Sequence, residues 1–301
     1  FEVEDRLKEL LDIPLMHDDQ HGTAIITSAG LLNALEISGK KIEEIRVVVN
    51  GAGASAISCS KLYLSLGVRP ENLVMVDSKG VLNKKRTDLN PWKQKFVTGR
   101  DINTLAEAMK DADMFLGLSV AGVVTPEMLL SMADHPIVFA LANPTPEISY
   151  ELATATRKDL IMGTGRSDFP NQVNNVLGFP YIFRGAMDVR ATAIHEEMKL
   201  AAAHALADLA KQPVPEEVNI AYQVTNLKFG KDYIIPKPSD PRLITHVAPA
   251  VAKAAMDTGV ARKPVTDWDA YRDELGKRLG LSNPLIRQIK ARAKKNPRRV
   301  V

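Results

Sequence analysis

The chain has 301 residues, 45% of them hydrophobic and 25% charged, which is typical of a folded globular protein with one large or two smaller domains. No uninterrupted apolar stretch is long enough to span a bilayer, and we expect no membrane partner. The formal net charge of +3 comes from one basic end: seven of the last fifteen residues are Lys or Arg, and removing them leaves −4, so no nucleic-acid partner is expected.

The chain contains one cysteine, Cys59, so no disulfide framework is possible and a cytoplasmic location is expected. Cys59 falls in a predicted helix, where we expect it to be buried rather than reactive. The chain opens on "FEVEDRLKEL", without an initiator Met or a signal-peptide pattern, and we therefore expect it to be part of a longer protein.

The first predicted element is a helix over "TAIITSAGLLNALEISG", whose N-terminal cap we expect to be Thr23. Just before it, residues 13–24 read "IPLMHDDQHGTA" and place two aspartates between two histidines. Three interpretations compete for this cluster: a helix cap, a metal site or a charged surface loop.

From Ile45 onward, short apolar runs alternate with helical patterns. The predicted strands are "IRVVVNGAG", "NLVMVDSKG", "DMFLGLS", "PIVFALANP" and "DLIMGTG", and the predicted helices between them are "SAISCSKLYLSLG", "INTLAEAMKDA", "TPEMLLSMA" and "SYELATA". Repeated βα units predict an α/β fold, with a doubly wound, mostly parallel sheet of the Rossmann-like type and flanking helices.

After the sheet, "DVRATAIHEEMKLAAAHALADLA" predicts one long amphipathic helix, and "KPSDPRLITHVAPAVAKAAMDTGV" predicts a turn and a further helix. We expect both helices to pack beside the sheet. From Asn283 onward, the Pro, Asn and basic content indicates a linker.

The turn "NGAGAS" lies between a predicted strand and a predicted helix and carries the dinucleotide-binding pattern Gly-x-Gly-x-x-Ala. Its glycines allow a tight turn and close approach of a pyrophosphate, which the amides at the helix start then bind. The candidate cofactor residues of this turn are Gly51, Ala52, Gly53, Ala54 and Ser55. The alternative is a purely structural turn.

Asp77, at the end of the next predicted strand, is placed to accept hydrogen bonds from the adenosine ribose, which favours NAD. Ser78, Lys79 and the cations at residues 84–86 follow it, and these would neutralise a ribose 2′-phosphate, which favours NADP. The alternative for these cations is a solvated loop.

Six blocks of the chain, taken together and in order, resemble the bacterial malic enzymes. They are "HDDQHGTA", "NGAGASAIS", "VDSKGV", "ALANPTPEI", "TGRSDFPNQVNNVLGFPYIFRGAMDVRAT" and "YIIPKPSDPRL". The likeness is to the hybrid type, in which a phosphotransacetylase-like domain follows. It implies an incomplete end of an N-terminal malic enzyme domain at residues 1–22, an NAD(P)-binding domain with flanking helices at residues 23–282, and a basic linker into a further domain at residues 283–301.

The resemblance implies oxidation of L-malate at its C2 hydroxyl, loss of a carboxylate and release of pyruvate and CO2. The expected cofactors are NADP, favoured over NAD, and Mg²⁺ or Mn²⁺. It implies that Asp19 is a metal ligand and that Asp18, beside it, supports the metal and the catalytic site. A helix cap formed by either aspartate remains the alternative, and His17 and His21 are expected to lie around the site or on the surface.

The resemblance also places Asn143 at the nicotinamide side of the site and Asn174 and Asn175 on malate, with Asn175 the first choice. Arg166 either binds a substrate carboxylate or, as we favour, pairs with Asp168. Ser119 is a weaker cofactor candidate. In the family, a Lys base, a Tyr acid and a Glu-Asp pair of metal ligands precede the region matched here, so we expect this chain alone not to turn over malate.

Three other functions remain open on the sequence. They are another Rossmann oxidoreductase such as an amino-acid dehydrogenase, a malolactic enzyme that releases lactate, and a non-catalytic nucleotide-sensing module that binds cofactor without any dependence on malate. Family likeness also implies a homo-oligomer, a dimer or higher.

Overall fold

The fold is built around one six-stranded sheet, described here for residues 1–279 of a computed structural model. The strands are β1 (Val47–Asn50), β2 (Leu73–Asp77), β3 (Gly80–Val81), β4 (Met114–Gly117), β5 (Ile137–Ala140) and β6 (Ile161–Thr164). The helices are α1 (Glu2–Leu10), α2 (Asp18–Ser38), α3 (Ala54–Leu66), α4 (Pro91–Gln94), α5 (Leu105–Met109), α6 (Pro126–Leu130), α7 (Tyr150–Thr156), α8 (Phe179–Asp188), α9 (Glu196–Ala210), α10 (Glu216–Ala221), α11 (Leu243–Asp257) and α12 (Trp268–Arg278).

The strand order is β3-β2-β1-β4-β5-β6, and every neighbouring pair is parallel except β2 with β3. The prediction of a doubly wound, mostly parallel sheet is therefore confirmed. The chain leaves β1 in one direction to form β2 and later returns to form β4 on the other side. This reversal opens a crevice at the carboxyl ends of β1 and β4, the place where such sheets bind ligands.

Helices cover both faces of the sheet, so the central strands are buried from end to end. Val47 and Val49 point into the larger core, which also contains residues of α2, α3, α9 and α11. Val48 points to the opposite face and packs with residues of α5, α6 and α7. The expectation that the C-terminal helices pack beside the sheet is thus confirmed.

Two helix boundaries predicted from the sequence are wrong. The helix α2 begins at Asp18 rather than at Thr23, with His17 at the cap position and no side-chain cap hydrogen bond. Both aspartates of the cluster therefore belong to the first turn of the helix. Acidic side chains are favourable there because the N-terminal end of the helix dipole is positive. The Thr23 hydroxyl instead donates to Asn175 Oδ1 over 3.2 Å.

The long helix predicted over residues 188–210 is interrupted, because α8 ends at Asp188 and α9 begins at Glu196. The backbone between them bonds to the segment that follows α11: the Thr192 N–H donates to the Val260 carbonyl, and the Lys263 N–H donates to the Val189 carbonyl. These tertiary hydrogen bonds replace the helical ones that the apolar spacing favoured.

The expected division of the chain at residues 22 and 23 stays a prediction, and the continuous helix α2 runs across that boundary. The expected linker, residues 283–301, lies outside the described residues. None of the helices described in residues 1–279 combines the length and apolar character that crossing a membrane requires.

Candidate nucleotide and substrate site

Two cavities lie side by side at the carboxyl ends of the strands. The larger, of about 750 Å³, is lined by the glycine-rich turn after β1, by Asp77 and by Ser119. The smaller, of about 320 Å³, is lined by Thr23 and by residues of the loops after β5 and β6. Leu118 lines both, so the two cavities share a wall formed by the loop after β4.

The turn between β1 and α3 has the shape that the glycine pattern predicts. Gly51 has a φ of +132°, and a Cβ there would lie 2.6 Å from the Leu118 carbonyl oxygen. Gly53 is exposed, with no atom within 4 Å of where its Cβ would lie. A ligand can therefore reach the backbone at the start of α3. Gly51, Ala52 and Gly53 line the larger cavity, whereas Ala54 and Ser55 lie in the first turn of α3.

Asp77 is held by two cations at the edge of the larger cavity. Arg86 donates to both of its carboxylate oxygens, over 3.0 and 3.2 Å, and Lys93 donates to Oδ2 over 2.8 Å. Burial by itself raises the pKa of Asp77, but the hydrogen bonds from Arg86 and Lys93 outweigh it and lower the pKa to about 2. Asp77 is therefore ionised, and both of its carboxylate oxygens already accept hydrogen bonds from cationic side chains.

Two other cations of this region form ion pairs at the surface. Lys79 pairs with Asp88 over 2.6 Å, and Lys85 pairs with Asp101 over 2.5 Å. Both lysine side chains are 68% exposed, which agrees with a solvated loop for these two residues. Arg86 is different because only 15% of its side chain is exposed.

Three asparagines line the smaller cavity: Asn143, Asn174 and Asn175. Asn143 is exposed and precedes Pro144 through a cis peptide bond. Asn174 accepts a hydrogen bond from the Val176 N–H over 3.0 Å, and its amide nitrogen has no partner among the described residues. This orientation leaves a donor available to a ligand.

Asn175 joins the two parts of the chain to which the family resemblance assigned substrate and metal residues. Its Nδ2 donates to Asp18 Oδ2 over 3.1 Å. Gly22 lies directly beneath this contact, because a Cβ there would overlap Asp18 Oδ1 and lie 2.7 Å from Asn175 Cγ. The absence of a side chain at Gly22 is what allows Asp18 and Asn175 to meet.

The two aspartates of α2 differ in their surroundings. Asp19 is exposed, whereas Asp18 is half-buried and its Oδ1 is a buried acceptor without a partner in residues 1–279. Carboxylate oxygens with free lone pairs suit Mg²⁺ or Mn²⁺. No group of three or more His, Cys, Asp or Glu side chains that would hold a metal occurs among the described residues, so within residues 1–279 the two aspartates have no third such ligand beside them.

The two histidines of the cluster do not converge on a common point. His17 is exposed at the cap of α2, whereas His21 lies between Glu4 at 2.8 Å and Lys199 at 3.1 Å. Burial, followed by the charge of Lys199, lowers the pKa of His21 to about 4. His21 therefore connects α2 to α1 and α9.

Two further sequence interpretations agree with the structure. Arg166 pairs with Asp168 over 2.5 Å, although Arg166 also lines the smaller cavity. Cys59 is fully buried in α3, and burial raises the pKa of its thiol to about 12, so the thiol is unreactive.

Sequence reasoning missed two polar residues that hold the loops of the site. Asn50, the last residue of β1, donates to Ser119 Oγ over 2.7 Å. Glu147 is fully buried and accepts hydrogen bonds from the backbone of the loops after β4 and β5. In "NPTPEI" nothing distinguishes this glutamate from a surface residue, so its burial was not predictable from the pattern.

The strand order, the crevice at its reversal and the glycine-rich turn define an NAD(P)-binding domain of the doubly wound class. The family model described as "Malic enzyme, NAD binding domain" matches residues 20–234. The chain belongs to the malic enzyme family.

Individual relatives agree with this membership. The chain is 53% identical over 302 aligned residues to an NADP-dependent malic enzyme of Rhizobium meliloti, covering 100% of this chain and 40% of the relative. It is 59% identical over 264 residues to an NADP-dependent malic enzyme of Halomonas elongata, covering 88% of this chain and 63% of the relative. The chain thus spans less than two thirds of the length of both.

A solved structure shares the fold over nearly the whole chain. The crystal structure of a malic enzyme from Pyrococcus horikoshii superimposes with a TM-score of 0.82 at 37% identity, covering 98% of this chain and 66% of that one.

Proposed function

We propose that the protein containing this domain oxidises L-malate to pyruvate and CO2 and reduces NADP⁺, with Mg²⁺ or Mn²⁺ as the metal. The observation that carries the proposal is the hydrogen bond between Asn175 and Asp18. In this contact, the residue we assign to malate touches a residue we assign to the metal, and Asn175 lines the smaller cavity beside the glycine-rich turn's cavity. The names of the relatives, NADP-dependent malic enzymes, support the reaction and the choice of NADP.

The larger cavity takes the adenosine and pyrophosphate, and the smaller takes the nicotinamide and malate. Gly51, Ala52 and Gly53 bring the backbone to the pyrophosphate, and the amides at the start of α3, Ala54 and Ser55 among them, face its negative charge. Asn143, in the loop after β5, then lies beside the nicotinamide.

Asn174 and Asn175 recognise malate without adding charge. The Asn174 amide nitrogen, which has no partner within residues 1–279, donates to a malate carboxylate, since the Asn174 side-chain oxygen is held by the Val176 N–H. Asn175 fixes Asp18 and faces the same cavity. Neutral donors bind a carboxylate without forming an ion pair, so they do not oppose its loss as CO2.

Asp19 and Asp18 would hold the divalent cation, with the unpartnered Oδ1 of Asp18 and the exposed carboxylate of Asp19 as oxygen ligands. When bound, the cation supplies Lewis-acid stabilisation of the negative charge that develops on malate oxygen atoms. Because Asn175 holds Oδ2 of Asp18, the orientation of Oδ1 is set before the ligands arrive. This is the catalytic role we assign to Asp18.

Preference for NADP is supported by the charges around Asp77. Arg86 and Lys93 already occupy the carboxylate that an NAD-specific site would offer to the ribose hydroxyls. A 2′-phosphate bound at this edge of the cavity would contact Arg86 and Lys93, the two cations that hydrogen-bond to Asp77.

A homo-oligomer, a dimer or higher, and a cytoplasmic location complete the proposal, and family likeness is their support. Light scattering on the purified full-length protein gives the number of subunits directly, and a monomer at micromolar concentration would contradict this part.

The reaction is tested on the full-length protein by the absorbance of reduced nicotinamide, with L-malate, Mn²⁺ and either NADP⁺ or NAD⁺. We expect malate-dependent reduction that is faster with NADP⁺, with pyruvate as the product. Asp19→Asn should lower the rate roughly 100-fold or more because the amide is a poor ligand for a hard cation.

Asp134→Asn is the matched control, since Asp134 is exposed in the loop before β5, at the opposite end of the sheet. The control should keep its full rate. Lactate in place of pyruvate would indicate a malolactic enzyme, and cofactor binding without any malate dependence would indicate a nucleotide-sensing module. Either result would overturn the proposal.

A further inference from the structure

Glu147 is a carboxylate without exposed surface, and it lies between two of the loops that line the smaller cavity, those after β4 and β5. Its Oε1 accepts a hydrogen bond from the Ser119 N–H over 3.0 Å. Its Oε2 accepts one from the Ala142 N–H over 3.1 Å. The first donor belongs to the loop after β4 and the second to the loop after β5, so one side chain bridges both.

Further hydrogen bonds extend this bridge to a third strand. The Val124 N–H donates to the Glu147 carbonyl over 3.1 Å, which closes the loop after β4 from its far side. The Asn50 amide donates to Ser119 Oγ over 2.7 Å, which ties the same loop to the end of β1. Glu147 therefore sets the spacing of three adjacent strand ends, β1, β4 and β5, at the mouth of the crevice.

The space and the hydrogen-bond donors around Glu147 fit a carboxylate group. A Cβ at Gly117, the last residue of β4, would lie 2.5 and 2.6 Å from the two carboxylate oxygens, so only glycine leaves room for them. Burial raises the pKa of Glu147, and the opposing contributions come from backbone hydrogen bonds, those of Ser119 and Ala142 first. No ion pair joins it to a cation within the described residues.

We propose that Glu147 is a positioning residue for the nicotinamide half of the dinucleotide, because it fixes the separation of the Ser119 and Ala142 loops. The inference rests on the proposed function in one respect, the placement of the nicotinamide in the smaller cavity. It extends that function by assigning the loop geometry to a residue that contacts neither the nucleotide cavity nor malate. Glutamine is the informative substitution, since its NH2 group would face one of two N–H donors.

The test compares two ligands on the full-length protein without malate. NADP⁺ carries the nicotinamide, whereas adenosine 2′,5′-bisphosphate carries only the adenosine half, which we place against Gly51 and Asp77 in the larger cavity rather than against Ser119. Glu147→Gln should weaken NADP⁺ binding roughly tenfold, the equivalent of one unsatisfied buried hydrogen bond, and change the affinity for the bisphosphate less than about twofold. Glu147→Asp keeps two acceptor oxygens and should recover part of the loss.

Glu151→Gln is the control, because Glu151 is exposed in the first turn of α7. Equal losses for both ligands would indicate a general structural role and overturn the inference, as would unchanged binding of both. If Glu147→Gln does not fold, hydrogen exchange of the wild type decides: NADP⁺ and not the bisphosphate should slow exchange at the Ser119 and Ala142 amides. Because no readout uses malate, a failure of the proposed reaction leaves this test intact.

Discussion

At the scale of single residues, the site depends on positions where a side chain is missing as much as on those that carry one. Gly51 admits the Leu118 carbonyl, Gly117 admits the carboxylate of Glu147, and Gly22 admits the contact between Asp18 and Asn175. Gly117 and Gly22 lie beneath polar contacts at the smaller cavity, and Gly51 lets the loop after β4 come close to the glycine-rich turn. Substitution at Gly51 or Gly117 should also destabilise the fold, because the added Cβ would meet a backbone carbonyl or the fully buried Glu147 carboxylate. At Gly22 the added Cβ meets the ends of two side chains, so function should be affected first.

Gly22→Ala tests this at the candidate metal and substrate site. The added methyl group would overlap Asp18 Oδ1 and approach Asn175, so both side chains must move. We expect malate turnover to fall roughly 10–100-fold, the usual cost of misplacing reacting groups by about 1 Å, while NADP⁺ affinity is unchanged. Steady-state kinetics with malate and a separate binding titration measure the two effects.

Gly276→Ala is the comparison variant, since no atom lies within 4 Å of a Cβ built at Gly276 in α12. Its turnover should equal that of the wild type. Normal turnover in Gly22→Ala, with folding intact, would show that the contact between Asp18 and Asn175 has no role in the reaction.

At the scale of elements, the parallel strands were predictable because their sequences are short, continuous apolar runs bounded by turns. Burial on both faces imposes that pattern locally. The start of α9 was not predictable, because it depends on hydrogen bonds between residues near 190 and residues near 260. The role of Glu147 was not predictable for the same reason, because its hydrogen-bond donors are backbone amides of two loops that are separate in the sequence.

The packing of α2 against the rest of the molecule gives a prediction at this scale. Asn33 is fully buried in α2, and its Nδ2 donates to the carbonyls of Ala207, in α9, and Ile234, over 2.9 and 2.8 Å. Asn33→Ala leaves both carbonyls unpaired, so we expect the free energy of unfolding to fall by about 2–3 kcal/mol. Urea unfolding followed by circular dichroism measures the change.

Ser38→Ala, in the last turn of the same helix, provides the reference because the Ser38 hydroxyl bonds only to carbonyls of α2 itself. It should alter the free energy of unfolding by less than half as much. A loss in Asn33→Ala no larger than this reference would mean that α2 is held to α9 by apolar packing alone.

At the scale of the whole molecule, the described residues that line the smaller cavity include no group able to accept a proton from a substrate hydroxyl. Arg166 is the one ionisable residue among those described as lining it, and arginine stays protonated. The chain of residues 1–301 expressed alone should therefore bind NADP⁺ without malate-dependent reduction of it. Calorimetry measures the binding of NADP⁺, and absorbance on the same sample measures its malate-dependent reduction.

The full-length protein is the positive control for that experiment. Reduction of NADP⁺ by the isolated chain, at a rate comparable to the full-length protein, would mean that a residue outside the smaller cavity reaches malate from within this chain. Failure of the isolated chain to bind NADP⁺ would mean instead that the domain needs its neighbours in order to fold.

The hydrogen bond between Asp18 and Asn175 also sets an order of events during translation. The two residues are 157 positions apart, so the ribosome has synthesised the glycine-rich turn and all six strands of the sheet before it reaches Asn175. At ordinary rates of synthesis the delay is on the order of ten seconds or more. In a nascent chain, the residues that line the nucleotide cavity are therefore present before the carboxylate of Asp18 can form its hydrogen bond with Asn175.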